Sequence, residues 1–338
     1  MHWFLTHSMY AAPMELPRNV DPTPVFILGS IRSGTTLLQS LLDGHPQLLV
    51  DAGESRFIPR TFPYVRFLPR HRRAIAAERR LLYLFADGSR YGEKYLQHVA
   101  PAEVRQSFHR FFDASRGRPA DLLTSYLLAY GVASGQLTER TQYWVEKTPY
   151  HELHAPRLLR WFPSCRAIYL ARDPRDVFSS IQKRALRKGS RASARSFSFA
   201  WRKSVAGARW LHARIGGSRT LFLRYEDLSR DPGRALREIR EFLDIDDHPK
   251  LHQPTKGGGR VPWGGNPASG QRSDRVRPPV TYDWLEWLSE QELQVVETEL
   301  GEAARFVGYD WPDAQGRRSV IDPATWLREI RFFLKHRL

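Results

Sequence analysis

Arg32, Ser33, Gly34, Thr35 and Thr36 sit between a short apolar run, "VFILGS" (25–30), and an apolar-rich stretch from Thr35 to Leu42. Gly29 and Gly34 have the G-x-x-x-x-G spacing of a turn between strand and helix. Backbone N–H groups at such a turn cradle an anion, reinforced by the helix dipole. The nucleotide-hydrolysing version of this loop continues with Lys and then Ser or Thr, the lysine reaching the terminal phosphates. Here Thr35 stands where that lysine would, and the loop's cation is Arg32, inside the turn. Triphosphate chemistry is therefore poorly served. A second constellation lies in "YLARDPRDVFSS", with Arg172 ending a strand and Ser180 on the following helix. Arg184 is the i,i+4 neighbour of Ser180 on one face. A guanidinium fork with a hydroxyl donor suits a dianionic phosphate. Lys147 in "VEKTP", Tyr225 in "LRYEDLSRDP" and the group Glu54, Arg56 and Arg60 in "GESRFIPR" complete the candidates. Taken singly, these have plain alternatives: a basic helix start, strand-edge packing, a Glu54–Arg56 ion pair.

Such residues must be positioned by a scaffold, and the pattern supplies one. Extended runs are expected at 25–30, in "QLLVDAGESR", at 143–148, at 166–172 and at 220–228. Helices alternate with them: Thr35–Leu42, "HELHAPRLLRWF", one after Pro174, one over roughly 195–215, and "DPGRALREIREFL" with Asp231 as N-cap and Pro232 as first residue. Gly44 and Pro46 stop the first helix, which makes His45 of "DGHP" a structural residue rather than a catalytic one. Strand–helix alternation predicts an α/β fold, a parallel sheet with helices on both faces. Residues 64–140 read as a helical insert, and "SEQELQVVETEL" opens with a capping box, Ser289 to Glu292.

"RSGTT" is the most specific element. It resembles the phosphosulfate loop of sulfotransferases that use 3′-phosphoadenosine 5′-phosphosulfate (PAPS), a P-loop-type fold. The stretch "RSGTTLLQSLLDGHPQLLVDAGESRFIPR" is most similar to protein-tyrosine sulfotransferases, whose loop is followed by "LDxHP", "GEETR" and "IPR" at the same spacing. The resemblance implies that Ser33 to Thr36 hold the 5′-phosphate and that Arg172 and Ser180, supported by Arg184, hold the 3′-phosphate. It puts Tyr225 near the nucleotide, and Arg32 and Lys147 at the transferred group. It implies Glu54 as the base for the acceptor hydroxyl and Arg56 and Arg60 as contacts to an anionic acceptor: a tyrosyl, glycan or small phenol or alcohol. The late nucleotide-binding loop maps onto "WGGNPASGQRSDRVRP", with Ser269 and Arg277 as its contacts. Sulfuryl transfer needs charge stabilisation and a base; arginine stabilises but delivers no proton, and no metal is required.

Composition agrees. The 338 residues carry a formal charge of +16, which predicts anionic partners. Cys165 is the single cysteine, fitting a reducing, cytoplasmic setting. No apolar run reaches the roughly 20 residues of a membrane span. The expected layout is an arm over 1–23, a sulfotransferase domain over 24–315, and a C-terminal amphipathic helix over 316–338 with Trp326, Ile330 and Phe333 on one face. That helix could touch an acidic membrane surface, though docking on its own domain is the simpler expectation. Two other classes compete. A P-loop kinase lacks its lysine and a Mg²⁺-binding aspartate, Asp173 being spent as a helix cap. A nucleic-acid-binding protein fits the charge but shows no helix-turn-helix, zinc-finger or RNP pattern.

Overall fold

The computed structural model describes residues 21–85, 89–265 and 284–311. Five parallel strands form the central sheet: β1 (Thr23–Leu28), β2 (Leu48–Val50), β3 (Tyr143–Lys147), β4 (Arg166–Ala171) and β5 (Thr220–Arg224), in the order β2-β3-β1-β4-β5. The expected α/β architecture is what the chain adopts. β1 lies in the middle, with Ile27 opposite Lys147 on one side and Leu28 opposite Tyr169 on the other. The chain leaves β1 for one edge and later returns to its other flank. The carboxyl ends of β1, β3 and β4 thus meet at a topological switch point, the crevice where open α/β sheets bind ligands.

Alternation along each strand loads two cores. Val25, Ile27, Val50, Val145, Ile168 and Leu170 face one layer, made by helices α1 (Thr35–Leu42) and, after β5, Pro232–Leu243. Phe26, Leu28, Leu49, Trp144, Ala167 and Tyr169 face the other. There the insert helices α2 (Phe62–Val65), α3 (Arg70–Leu81), α4 (Arg90–Tyr95), α5 (Pro101–Ala114) and α6 (Pro119–Ser134) pack together with α7 (Ala155–Trp161), α8 (Pro174–Leu186) and α9 (Ala194–Ile215). The insert is helical as its pattern predicts. It begins two residues early, at Phe62, after a π-helical turn over Phe57–Thr61. Among the described residues no helix is long and apolar enough to cross a membrane.

Local chemistry sets the boundaries. Asp173 and Asp231 accept hydrogen bonds from Arg175 N and Arg234 N as caps, and the Ser289–Glu292 box closes as expected. Three elements differ from the sequence reading. The second extended piece shrinks to three residues, because the Gln39 side chain takes the carbonyls of Asp51 and Gly53 that a longer strand would pair. "HELHAPRLLRWF" divides into a 3-10 turn, His151–His154, and α7, since Pro156 cannot donate inside a helix. The β5 run stops at Arg224, whose guanidinium grips Asp227 and turns the chain helical from Tyr225. The glycine-rich stretch after 255 opens as a small hairpin, Thr255–Lys256 against Val261–Pro262. Ser269, Arg277, most of the expected arm over 1–23 and the expected helix over 316–338 lie outside the described residues.

Candidate active site

The loop after β1 is shaped by backbone conformations that side chains resist. Gly34 has φ 94°, and a Cβ there would lie 2.3 Å from the Tyr225 ring. Gly29 has φ 145°, with Leu170 O 2.6 Å from where its Cβ would be. Arg32 itself adopts φ 67°, an uncommon left-handed conformation for a residue with a side chain. Ser33 Oγ ties the turn by donating to Ser30 O at 2.7 Å. Gly34 is the N-cap of α1 and no side chain caps it, so the helix offers its first amides to an anion.

Three arginines and a serine converge beside this loop. Arg32 Nε donates to Ser180 Oγ at 2.8 Å, and Arg172 donates to the Arg32 carbonyl at 3.2 Å. The Arg172 guanidinium lies 4.7 Å over the Tyr225 ring, which also packs on Gly34. Burial first, then the charges of Arg172 and Arg184, lower the pKa of the Arg32 guanidinium from its ordinary value. Arg172 Nε is buried without a hydrogen-bond partner. Like charges gathered around an unspent buried donor suit a multiply charged anion. Arg32, expected at the transferred group, thus also touches Ser180 through its Nε.

A second cluster lies across the loop. Lys147, 2% exposed at the end of β3, donates to Glu54 Oε1 at 2.8 Å and to Thr36 Oγ1 at 3.2 Å. Arg56 donates to Glu54 Oε2 through two nitrogens, at 3.1 and 2.9 Å. Burial alone would push the Glu54 carboxyl up; the charge and hydrogen bond of Lys147, with those of Arg56, outweigh it and hold it below its ordinary value. The loop carrying Glu54 is anchored from below. Buried Glu146 accepts from Ser55 and Thr148 at 2.6 Å each and pairs with His151 at 2.9 Å, and Thr148 Oγ1 accepts from Arg56 N at 3.0 Å. His45 stands apart. Its Nδ1 accepts from Gln47 N, so Nε2–H donates to Asp246 O at 3.1 Å, and both nitrogens serve the backbone.

Arg56 also opens onto a cleft of about 450 Å³ lined by Pro59, Arg60, Tyr64, Arg80 and Tyr83. Tyr83 donates to the Glu54 carbonyl at 3.0 Å, and Arg80 stacks 3.9 Å from the Tyr64 ring centroid. A cleft of about 500 Å³ around His45, Gln136 and Arg140 includes none of the residues at the loop or at Glu54.

Sequence reading missed Gln39, Lys256, Glu146, Tyr83 and Arg80. Lys256 is fully buried and donates to Gln39 Oε1 at 2.6 Å, while Gln39 Nε2 holds Asp51 O and Gly53 O at 2.8 Å each. The two residues thus brace the segment that leads into Glu54. A signal for Gln39 existed: Thr36, Gln39 and Asp43 recur at i, i+3 and i+7 on a leucine-rich helix.

A phosphate-type loop at the switch point of this sheet is flanked by an arginine–serine cluster and a lysine-held carboxylate, an arrangement suited to an anion. Residues 24–249 match the sulfotransferase family, and the chain belongs to it. Among curated relatives, it is 27% identical over 259 residues to the omega-hydroxy-beta-dihydromenaquinone-9 sulfotransferase Stf3 of Mycobacterium tuberculosis, covering 69% of this chain and 66% of that one. It is 26% identical over 241 residues to protein-tyrosine sulfotransferase 2 of Gallus gallus, covering 71% and 54%. The chain therefore spans just under two thirds of the first relative and about half of the second. The sulfotransferase domain of the Synechococcus PCC 7002 olefin synthase shares the fold, with TM-score 0.58 and 24% identity over 89% of this chain and all of that one.

Proposed function

We propose that the protein moves a sulfuryl group from PAPS to an acceptor hydroxyl, with Glu54 as the base. One observation carries this reading: Lys147 donates both to Glu54 and to Thr36, so a single buried cation joins the carboxylate to the phosphate loop. The reacting oxygen and the transferred group would meet at that lysine. The donor fits the residues present. The uncapped start of α1 suits its 5′-phosphate, and Ser180 with the unpartnered Arg172 Nε, flanked by Arg184, suits its 3′-phosphate. Tyr225, stacked between Arg172 and Gly34, offers a ring face beside it.

PAPS supplies the sulfuryl group and an adenosine bisphosphate (PAP) leaving group. Glu54, held ionised by Lys147 and Arg56, accepts the acceptor's proton at Oε1 or Oε2. Lys147 and Arg32 stabilise negative charge without giving up a proton. Arg56 and Arg60 line the adjoining cleft, where Arg80 adds a third guanidinium and Tyr64 and Tyr83 two rings. That lining suits an acceptor with an anionic substituent and a flat or apolar body. The two relatives' names specify a hydroxylated quinone derivative and protein tyrosine, so the acceptor panel must hold both classes. Incubation with ³⁵S-labelled PAPS and tyrosyl peptides, glycans, phenols and hydroxylated prenyl quinones tests the proposal. Label transfer to at least one hydroxyl is expected; none, with intact PAP binding by calorimetry, would leave a PAP-binding protein without this activity.

A further inference from the structure

Residues 59–80 hold seven arginines and one acidic residue, Glu78. They fold as the hairpin of α2 and α3, against the side of the acceptor cleft. Three large apolar side chains on it stay in solvent: Phe67 is 83% exposed, Ile75 68% and Tyr64 60%. A soluble surface scatters such residues singly; here they sit among cations. On α3 the inward positions are Ala74, Ala77 and Leu81, which turns Ile75 outward between Arg72 (i−3) and Arg79 (i+4). Arg66 stacks 4.4 Å from the Phe67 ring centroid, and Arg80 lies over Tyr64. The hairpin's one carboxylate, Glu78, is the i+3 neighbour of Ile75 and is engaged by Arg105 and His109 of α5.

From this arrangement we infer that the α2–α3 hairpin docks the protein on an anionic lipid bilayer, with Phe67 and Ile75 entering the headgroup layer. Arginines beside exposed rings and an aliphatic tip make the pattern of an interfacial helix, with charge attracting and apolar area holding. A nucleic acid would use the guanidiniums but has no place for Ile75. Tyr64 and Arg80 of the same hairpin also line the cleft beside Arg56. A docked protein would therefore open its cleft along the membrane surface, where an amphipathic alcohol could enter without crossing water.

Flotation of the full chain with vesicles tests this independently of sulfuryl transfer. Partition onto phosphatidylcholine vesicles containing about 30% phosphatidylglycerol should exceed that onto phosphatidylcholine alone by about tenfold or more. It should fall steeply between about 50 and about 300 mM salt. The double variant Phe67→Glu, Ile75→Glu should lose most of the binding, and Arg72→Glu, Arg79→Glu likewise, while PAP affinity and melting temperature stay at wild-type values. Both sites are solvent-exposed, so folding survives the changes. Equal partition onto the two vesicle types overturns the inference, as does full binding by the Phe67/Ile75 variant. So does duplex DNA that competes the vesicles away and still binds that variant.

Discussion

The two sides of the site are made differently. On the donor side, geometry resides in the main chain: Gly29, Arg32 and Gly34 hold positive φ, and the Tyr225 ring leaves no room for a Cβ at Gly34. On the acceptor side it resides in side chains, with Glu54 suspended between Lys147 and Arg56 over a cleft lined by arginines and tyrosines. A backbone cradle accepts one shape of anion and tolerates little change. A lining of long side chains can be exchanged residue by residue. On the proposed reading, the contrast assigns donor specificity to the fold and acceptor specificity to the insert, which supplies Tyr64, Arg80 and Tyr83.

Variants can break this division. Glu54→Gln keeps the shape and removes the basicity, so turnover should fall by about 10²–10⁴, with PAP affinity unchanged in calorimetry. Near-normal turnover would reduce Glu54 to a partner for Arg56. Arg32→Ala should lower turnover by about 10²–10³, the loss of one donor to developing charge, and EDTA should leave the wild type unaffected. Strict Mg²⁺ dependence would return the loop to phosphoryl chemistry. Arg172→Ala removes a charge-assisted donor and should weaken PAP by about tenfold or more while barely affecting AMP. Should Glu54→Gln disturb PAP binding as much as Arg172→Ala does, the two sides are not separate.

The gentlest test is pH. The Glu54 carboxyl sits below its ordinary value against the pull of burial, because Lys147 and Arg56 favour its charge. As the proposed base, Glu54 is therefore ionised through neutral pH, and kcat/KM should fall only as pH drops through that lowered value. For the same reason its contribution to folding persists above the unfolded pKa and disappears as pH falls through the folded one. Lys147→Met removes the main opposing charge and should move the acid limb upward. An unmoved limb in the pH–rate profile would assign it to another group.

Legibility in the sequence follows the same division. The donor side is written in short runs, so Thr35–Leu42, the Asp173 cap and the Ser180–Arg184 face were readable from neighbours in the chain. Glu54, Arg56 and Lys147 were readable only through a resemblance, yet the structure brings them into contact. Arg80 and Tyr83 could not be found, since their place depends on how α3 folds back over the π-helical turn. Lys256 lies more than 200 residues from Gln39, beyond any local pattern. The length of β2 was misjudged for a physical reason: an apolar run marks burial, while the Gln39 carboxamide decides where the ladder ends.

Lys256 has a consequence for the whole molecule. Burial, with Lys147 close by, brings its ammonium down to about 7, whereas in the unfolded chain it returns to the ordinary lysine value of 10.5. Between those limits the native state holds a neutral amine and the unfolded state an ammonium. Unfolding at mildly alkaline pH therefore absorbs a proton at this position, and as pH rises from about 7 toward 10.5 the cost that this buried lysine imposes on the native state is relieved. Calorimetric unfolding in buffers of different ionisation enthalpy would register that proton as a buffer-dependent heat, and Lys256→Met should lower the proton uptake.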